Sequence, residues 1–280
     1  VSGNASAPGS SGNLGPGFDV LGLAIDLRCR VTATPATEMT VDDGDGPRAL
    51  PPDHIVSRAA RAGADQPMTL LVDNAVPRTR GLGSSSAVMV ATAAAVARAV
   101  GRAVEPAWIY QACAEIEGHG DNVGPAVYGG LIAVGSEGPR LLPISETLIP
   151  VVGVPHHQLA TNDARAVLPT EVSLAAAARS VARAVALVEG LRTADPAALA
   201  AAGGDELHEA PRAPLSPITG RMIEAAVEAG ALHASWSGAG PTAIAFTTAG
   251  TADAVVDAVQ AVLADDGEVM VLAVDYDGLI

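Results

Sequence analysis

Pro77-Arg78-Thr79-Arg80-Gly81-Leu82-Gly83-Ser84-Ser85-Ser86-Ala87 is the stretch that decides how this chain folds around a ligand. Its glycines let the backbone approach a bound group closely, and its serines are residue types that cap a helix. The Ala-rich run that follows predicts a helix from about Ser84 to Val100. That helix is apolar nearly all round, which predicts a central, buried position. A helix start presents free N–H groups and a partial positive charge of roughly +0.5 to an anion. Taken alone, the segment fits a phosphate site and an ordinary capped helix equally well. Two better-known phosphate loops do not fit. No lysine follows Gly83, as a Walker-type loop requires, and Ser86 stands where a dinucleotide fingerprint needs glycine.

Working outward, the chain mixes strands and helices without a clean βαβ alternation. The class expected is therefore α+β, in two layered domains. Ala7 to Phe18 is dense in Gly, Ser, Pro and Asn and reads as a loop. Leu21 to Thr34 reads as one or two strands, Ile55 to Ala62 as a short helix and Met68 to Val72 as a strand. Pro106 opens a helix that runs to about Glu117, and Gly118 to Pro125 is a polar loop. Leu131 to Val134 and Ile149 to Val154 are strands. In Val172 to Val188, Leu174, Val181, Val185 and Val188 keep to one helical face, and Asp195-Pro196 caps and opens a short helix. Pro217 to Ala229 and Ala252 to Leu263 are helices; Ala231 to Trp236, Ala243 to Thr247 and Val269 to Val274 are strands. The expected boundary lies near 150, giving domains of residues 1–150 and 151–280.

Composition narrows the functions. Hydrophobic residues make up 49% and charged residues 17%, enough for a sizeable core. Aromatics are only 2%, so that core must be built from Ala, Val, Leu and Ile. A formal net charge of -15 argues against a nucleic-acid partner or an anionic membrane surface, while a cradle of backbone N–H groups can still hold phosphate. Cys29 and Cys113 have no metal-site spacing; they imply buried, reduced thiols and a cytoplasmic protein. There is no basic-then-apolar leader pattern, and no run approaches the ~18 apolar residues that span a bilayer.

Three further Gly-marked stretches join the first: Ala7 to Asp19, Glu115 to Pro125 with Gly129-Gly130, and Ser237-Gly238-Ala239-Gly240-Pro241-Thr242. Together they resemble the motifs of the GHMP kinases, the galactokinase, homoserine kinase and mevalonate kinase superfamily. The Ala7 and Glu115 stretches are most similar to its homoserine kinase branch, as are Thr161 to Pro169 and His208 to Leu215. The resemblance covers residues 5 to 247.

The resemblance implies the two-domain GHMP kinase fold, an S5-like N-terminal domain and a ferredoxin-like C-terminal domain with the active site between them. It implies that Pro77, Arg80, Gly81, Leu82, Gly83, Ser84, Ser85, Ser86 and Ala87 cradle the phosphates of ATP, with Ser85 and Glu117 holding Mg²⁺. It implies that Asn13, Asp19, His119, Asn122, Thr161, Arg165 and Arg212 bind a small amino-acid substrate, homoserine. Asn122, Asp19 and Arg165 are the expected catalytic residues. Arginine meets a carboxylate with a planar fork, and Asp19 suits an ammonium. Sister kinases place an aspartate where Asn122 falls, so no strong base is expected at the hydroxyl. Asp121, one residue away, is not cast in that role. The oligomeric state is left open, a homodimer included.

Glu115 is expected on the surface, His156 and His157 in an exposed loop, and Trp108 and Trp236 in packing roles. The family pattern is departed from at Gly12, Ser86, Gly120 and Leu27 to Cys29, and the Ile55 to Met68 region, which helps shape an adenine pocket, is short. Two rival readings stay open: a GHMP-type kinase for another small hydroxy compound in specialised metabolism, and a catalytically silent binding protein on the same fold.

Overall fold

The computed structural model describes residues 1–280. The chain opens with a long hairpin, β1 (Gly3–Gly12) and β2 (Leu21–Pro35), whose strands pair along their whole length with one register shift at Pro8/Gly9. Ala7 to Gly12, a loop by composition, is therefore strand. The reason is tertiary: the strand is made of Gly, Ser, Ala and Pro because a helix lies directly on it.

After β3 (Thr40–Asp42), β4 (Arg48–Ala49), α1 (Ile55–Gly63) and β5 (Met68–Asn74) comes that helix, α2 (Ser84–Ala99). A Cβ at Gly3 would meet Ala95 O at 2.1 Å, and one at Gly63 would meet Ala93 O at 2.6 Å. From Met89 to Ala97 every residue of α2 is buried, as its all-round apolar pattern predicts.

Next come α3 (Pro106–Glu117), α4 (Val123–Tyr128), β6 (Leu131–Gly135) and β7 (Gly138–Leu142). They complete a seven-stranded sheet in the order β4-β3-β5-β2-β6-β7, with β1 along the other edge of β2. The edge of β2 opposite β1 is divided: Leu21–Leu23 pair with β6 and Cys29–Pro35 with β5. The Gly118 to Pro125 stretch is only partly loop, since α4 starts within it.

The second sheet begins at β8 (Ile149–Pro155). It is followed by α5 (Thr161–Ala166), α6 (Leu174–Thr193), α7 (Pro196–Ala201), α8 (Glu209–Arg212) and α9 (Pro217–Glu228), then β9 (His233–Trp236), β10 (Ala243–Thr247), α10 (Ala252–Leu263) and β11 (Gly267–Val271). The order β11-β8-β10-β9 is antiparallel throughout. With α9 and α10 on one face, this is a βαββαβ unit of ferredoxin-like type, carrying α5 to α8 as an insertion after its first strand. Val255 and Val259 of α10 and Met222 of α9 form its core.

Asp195 caps α7 through Ala197 N, as its sequence predicts. α6 corrects the sequence reading. Leu174, Val181 and Val185 are exposed, and the helix buries Ser180, Leu187, Gly190 and Leu191 instead. The Ala-rich helix offers two usable faces, and the close approach of α7 to Gly190 selects the second: a Cβ there would meet Leu199 Cγ at 2.7 Å. The end of the chain returns to the first sheet, where Arg28 pairs with Asp275 and Ser6 N donates to Ile280 O (2.8 Å). Cys29 and Cys113 are free and buried. Trp236 is buried on β9, its ring under Gly240, where a Cβ would meet Cε3 at 2.4 Å. No helix is long and apolar enough to cross a membrane.

Gly22, in mid-β2, lies against the backbone of the loop that precedes α4: a Cβ there would meet Asp121 O at 1.8 Å. Backbone cannot swing aside as a side chain can, so Gly22→Ala is expected to cost about 1–3 kcal/mol, the range for overpacking. Thermal or denaturant unfolding checks this; a wild-type midpoint would mean that the contact relaxes freely.

Candidate active site

The start of α2 faces a cleft between the two sheets. Its N-cap is Gly83, held left-handed at φ 65°, and no side chain caps the helix. The serines have other partners: Ser84 Oγ accepts from Asn74 Nδ2 (2.9 Å), Ser85 Oγ donates to Glu117 Oε2 (3.2 Å), and Ser86 Oγ is buried without one. The expected serine cap is absent, and the first-turn N–H groups remain available to a ligand. The loop before the helix is clamped to the turn after β9. Ser237 Oγ donates to Gly81 O (2.7 Å), and a Cβ at Gly81 would meet Ser237 O at 2.2 Å. Arg80 is spent on the backbone: Nε donates to Pro155 O (2.8 Å), another nitrogen to Arg78 O (3.1 Å) and the third to His156 O. Its guanidinium ties the loop to the end of β8.

The turn after β1 supplies the next side chains. Asn13 and Asp19 both have positive φ, 68° and 54°. Non-glycine residues persist in that region only where surrounding structure holds them. Asn13 does so by donating to Gly238 O (2.8 Å) and accepting from Asp19 N (3.0 Å). Asp19 takes a two-pronged ion pair from Arg165 of α5 (3.1 and 2.7 Å).

From the α3–α4 connection come Glu117, His119, Asp121 and Asn122. His119 Nδ1 donates to buried Asp121 Oδ1 (2.6 Å). Asn122 accepts from Ser10 Oγ (3.0 Å) and donates to Asp121 Oδ2 (3.3 Å), so its amide is fixed on both sides. A Cβ at Gly12 would meet Asp121 Oδ2 at 2.5 Å and Asn122 Nδ2 at 2.8 Å, which explains glycine at that position.

Burial raises the pKa of Glu117, against the lowering effect of His119 and the Ser85 hydroxyl. Burial lowers that of His119, but Asp121 overcomes it and the net shift is upward. Arg212 is buried, and desolvation, with Arg165 nearby, pulls it down to about 10.

Asn13, Asp19, Pro77, Arg80, Gly81, Leu82, Gly83, Ser84, Ser85, Glu117, His119, Asn122, Thr161, Arg165 and Arg212 all line this one cleft. Of the residues expected at the phosphates, Ser86 and Ala87 do not line it; both side chains are buried behind the helix start. Thr79, Asp121, Gly238 and Ala239 also line it without having been cast as site residues. Gly238 and Ala239 sit in the fourth Gly-marked stretch, which was the available signal. An adjoining pocket shares Thr79, Ser84 and Ser85 and has an apolar wall of Val41, Leu50, Ile55, Val56, Val72 and Val88. Glu115 is exposed and His156 and His157 lie in an exposed loop, as expected.

A helix start open to anions, joined to a pocket of arginines and carboxylates, defines a phosphotransferase cleft of a known type. The family model for the GHMP kinases N terminal domain matches residues 54–130, and that for GHMP kinases C terminal matches residues 187–265. The chain belongs to the GHMP kinases, phosphotransferases with a hydroxyl acceptor. Within them it is similar to the homoserine kinase of Thermus thermophilus, at 38% identity over 95% of this chain and 94% of that one. It is likewise similar to that of Streptomyces coelicolor, at 39% over 89% and 85%. The crystal structure of homoserine kinase from Cytophaga hutchinsonii superposes with a TM-score of 0.89 at 29% identity, covering 100% of this chain and 96% of that one.

The raised pKa of Glu117 has a consequence for stability. A carboxyl with a raised folded pKa stabilises below its unfolded pKa and loses that contribution as pH rises through the folded one. Glu117→Gln is therefore expected to melt higher than wild type at neutral pH without added cation, a gain that shrinks on acidification. Melting curves across pH check it; a constant difference would mean that the charge is not the cause.

Proposed function

We propose that this chain transfers the γ-phosphoryl group of ATP to the hydroxyl of L-homoserine, giving O-phospho-L-homoserine in the threonine branch of amino-acid synthesis. The observation that carries the proposal is the single cleft with two unlike ends. One end is the uncapped start of α2 beside the Ser85–Glu117 pair; the other holds Asp19, Arg165 and Arg212. The likeness to homoserine kinases over nearly the whole chain selects the acceptor.

At the first end, the free N–H groups of Gly83 to Ser86 cradle the phosphates; that of Ala87 donates to Gly83 O (3.0 Å). All sixteen basic residues of the chain are arginines, so no lysine point charge supplements them. The nucleoside fits the adjoining apolar pocket. Ser85 and Glu117 fit Mg²⁺, a hard ion that takes oxygen ligands and keeps several waters. The half-buried Glu117 carboxylate has only a hydroxyl for a hydrogen-bond partner. Mg²⁺, when bound, neutralises charge on the transferred phosphoryl group.

At the second end, Arg212 and Arg165 meet the α-carboxylate and Asp19 the α-ammonium, while Asn13, His119 and Thr161 border the substrate. Asn122 orients the hydroxyl. Its amide does not accept a proton at neutral pH, so catalysis rests on positioning and charge, and the proton leaves late, to phosphate or water. Asn122→Asp is accordingly expected not to raise turnover; a sharp increase would show that a base was wanting. We also propose a domain division near 150, where the first sheet ends and the second begins.

A panel of homoserine, threonine, shikimate and mevalonate, with product mass detection, tests the acceptor. Homoserine is expected to give the highest kcat/KM; preference for another alcohol would refute it. Arg212→Ala is expected to raise the homoserine KM, since loss of one partner of a buried charge pair costs about 2–5 kcal/mol, and to leave the ATP KM unchanged. Ser85→Ala is expected to do the reverse.

A further inference from the structure

Arg212 is buried, and its donors are almost all committed within the protein. Nε donates to Ala164 O (3.1 Å), and one terminal nitrogen donates both to His208 Nδ1 (2.9 Å) and to Gly238 O (3.2 Å). Only the other terminal nitrogen is left to a ligand, on a residue that lines the cleft. The partner at 2.9 Å is His208, four residues back at the N-cap of α8; it is itself fully buried and has no place in the phosphoryl transfer described above.

The ring of His208 is fixed from three sides. Nε2 lies 2.8 Å from Gly15 O, an acceptor only, so Nε2 carries the proton and Nδ1 presents its lone pair to Arg212. Asp205 Oδ2, 3.8 Å from Nε2, is already taken by the N–H groups of His208 (2.7 Å) and Glu209 (2.9 Å). The ring stacks on Phe18, with centroids 5.3 Å apart and planes at 24°. That same phenyl ring faces both guanidiniums, Arg212 at 5.7 Å and Arg165 at 5.9 Å. Phe18 and His208 thus form one platform that holds two like charges beside a single subsite.

We propose that His208 is a positioning residue that aims Arg212 at the acceptor's carboxylate, and that Arg212 grips this carboxylate through one nitrogen rather than a two-pronged fork. The inference rests on reading the acceptor as an amino acid. It deepens that reading by making His208 and Phe18 determinants of specificity for a carboxylate-bearing alcohol. Without an acceptor at Nδ1, the engaged nitrogen of Arg212 keeps only Gly238 O and the fork turns.

His208→Leu removes the acceptor and His208→Asn restores one close to the position of Nδ1. A hydrogen bond to a charged group makes His208→Leu expected to raise the homoserine KM about tenfold, with the ATP KM and saturated kcat within about twofold of wild type. His208→Asn is expected to stay within about threefold of wild type in homoserine KM. An unchanged homoserine KM in His208→Leu, equal damage in both variants, or a parallel change in ATP KM would overturn the proposal. ¹⁵N NMR of the wild-type histidine rings decides the matter even if a variant fails to fold. The Nε2–H tautomer with an accepting Nδ1 supports the arrangement; the other tautomer or an imidazolium at neutral pH refutes it. Failure of wild-type protein to phosphorylate homoserine would strike the acceptor assignment instead, and the NMR result would still judge the ring.

Discussion

The approach of α2 to β1 governs this structure. At one end of the strand Gly3 touches the backbone of Ala95; at the other, a Cβ at Gly83 would meet Ser10 Oγ at 2.2 Å. Strand and helix are in contact along their length only because the strand is nearly devoid of side chains. That contact buries a helix with no polar face and fixes where its free N–H groups emerge. The glycine-marked segments around the helix start then pack closely on one another, with Gly81 against the Ser237 backbone and Gly12 against the Asp121 and Asn122 side chains. Close packing of this kind leaves little room for alternative arrangements.

Charge is handled with the same economy. In a chain carrying 31 acidic and 16 basic residues, the three arginines lining the cleft are each held by a specific partner. Arg80 is bound to three carbonyls, Arg165 to Asp19, and Arg212 to two carbonyls and a histidine. Fixed guanidiniums lose little freedom when a ligand arrives, which is the physical content of preorganisation. The cost is borne as desolvation, visible in the lowered pKa of Arg212.

What could be seen in the sequence follows the range of the signal. The bounds of α3 and α10, the cap of α7 and the burial of α2 depend on local patterns and were legible. The strand character of Ala7 to Gly12 was not, because small residues signal turns unless a helix is known to lie on them. The buried face of α6 was misread because two stripes of an Ala-rich helix are nearly equivalent until α7 chooses. Residues from six distant motifs do meet in one cleft, yet the motifs alone gave no hint that Arg80 points its guanidinium at the second sheet. Nor did they show that Gly238 O is shared by Asn13 and Arg212. Those facts belong to the packing of the two sheets.

Scarcity of aromatic residues leaves the chain with two indoles. Trp108 lies under the guanidinium of Arg102, 4.0 Å from the ring centroid, and does not line the cleft. Trp236 is sealed beneath the turn that carries Gly238, its backbone N–H donating to Glu209 Oε1 (2.7 Å). A ligand that shifts this turn alters the electric field at that one indole, so the emission colour of the unlabelled protein becomes an optical gauge of cleft occupancy.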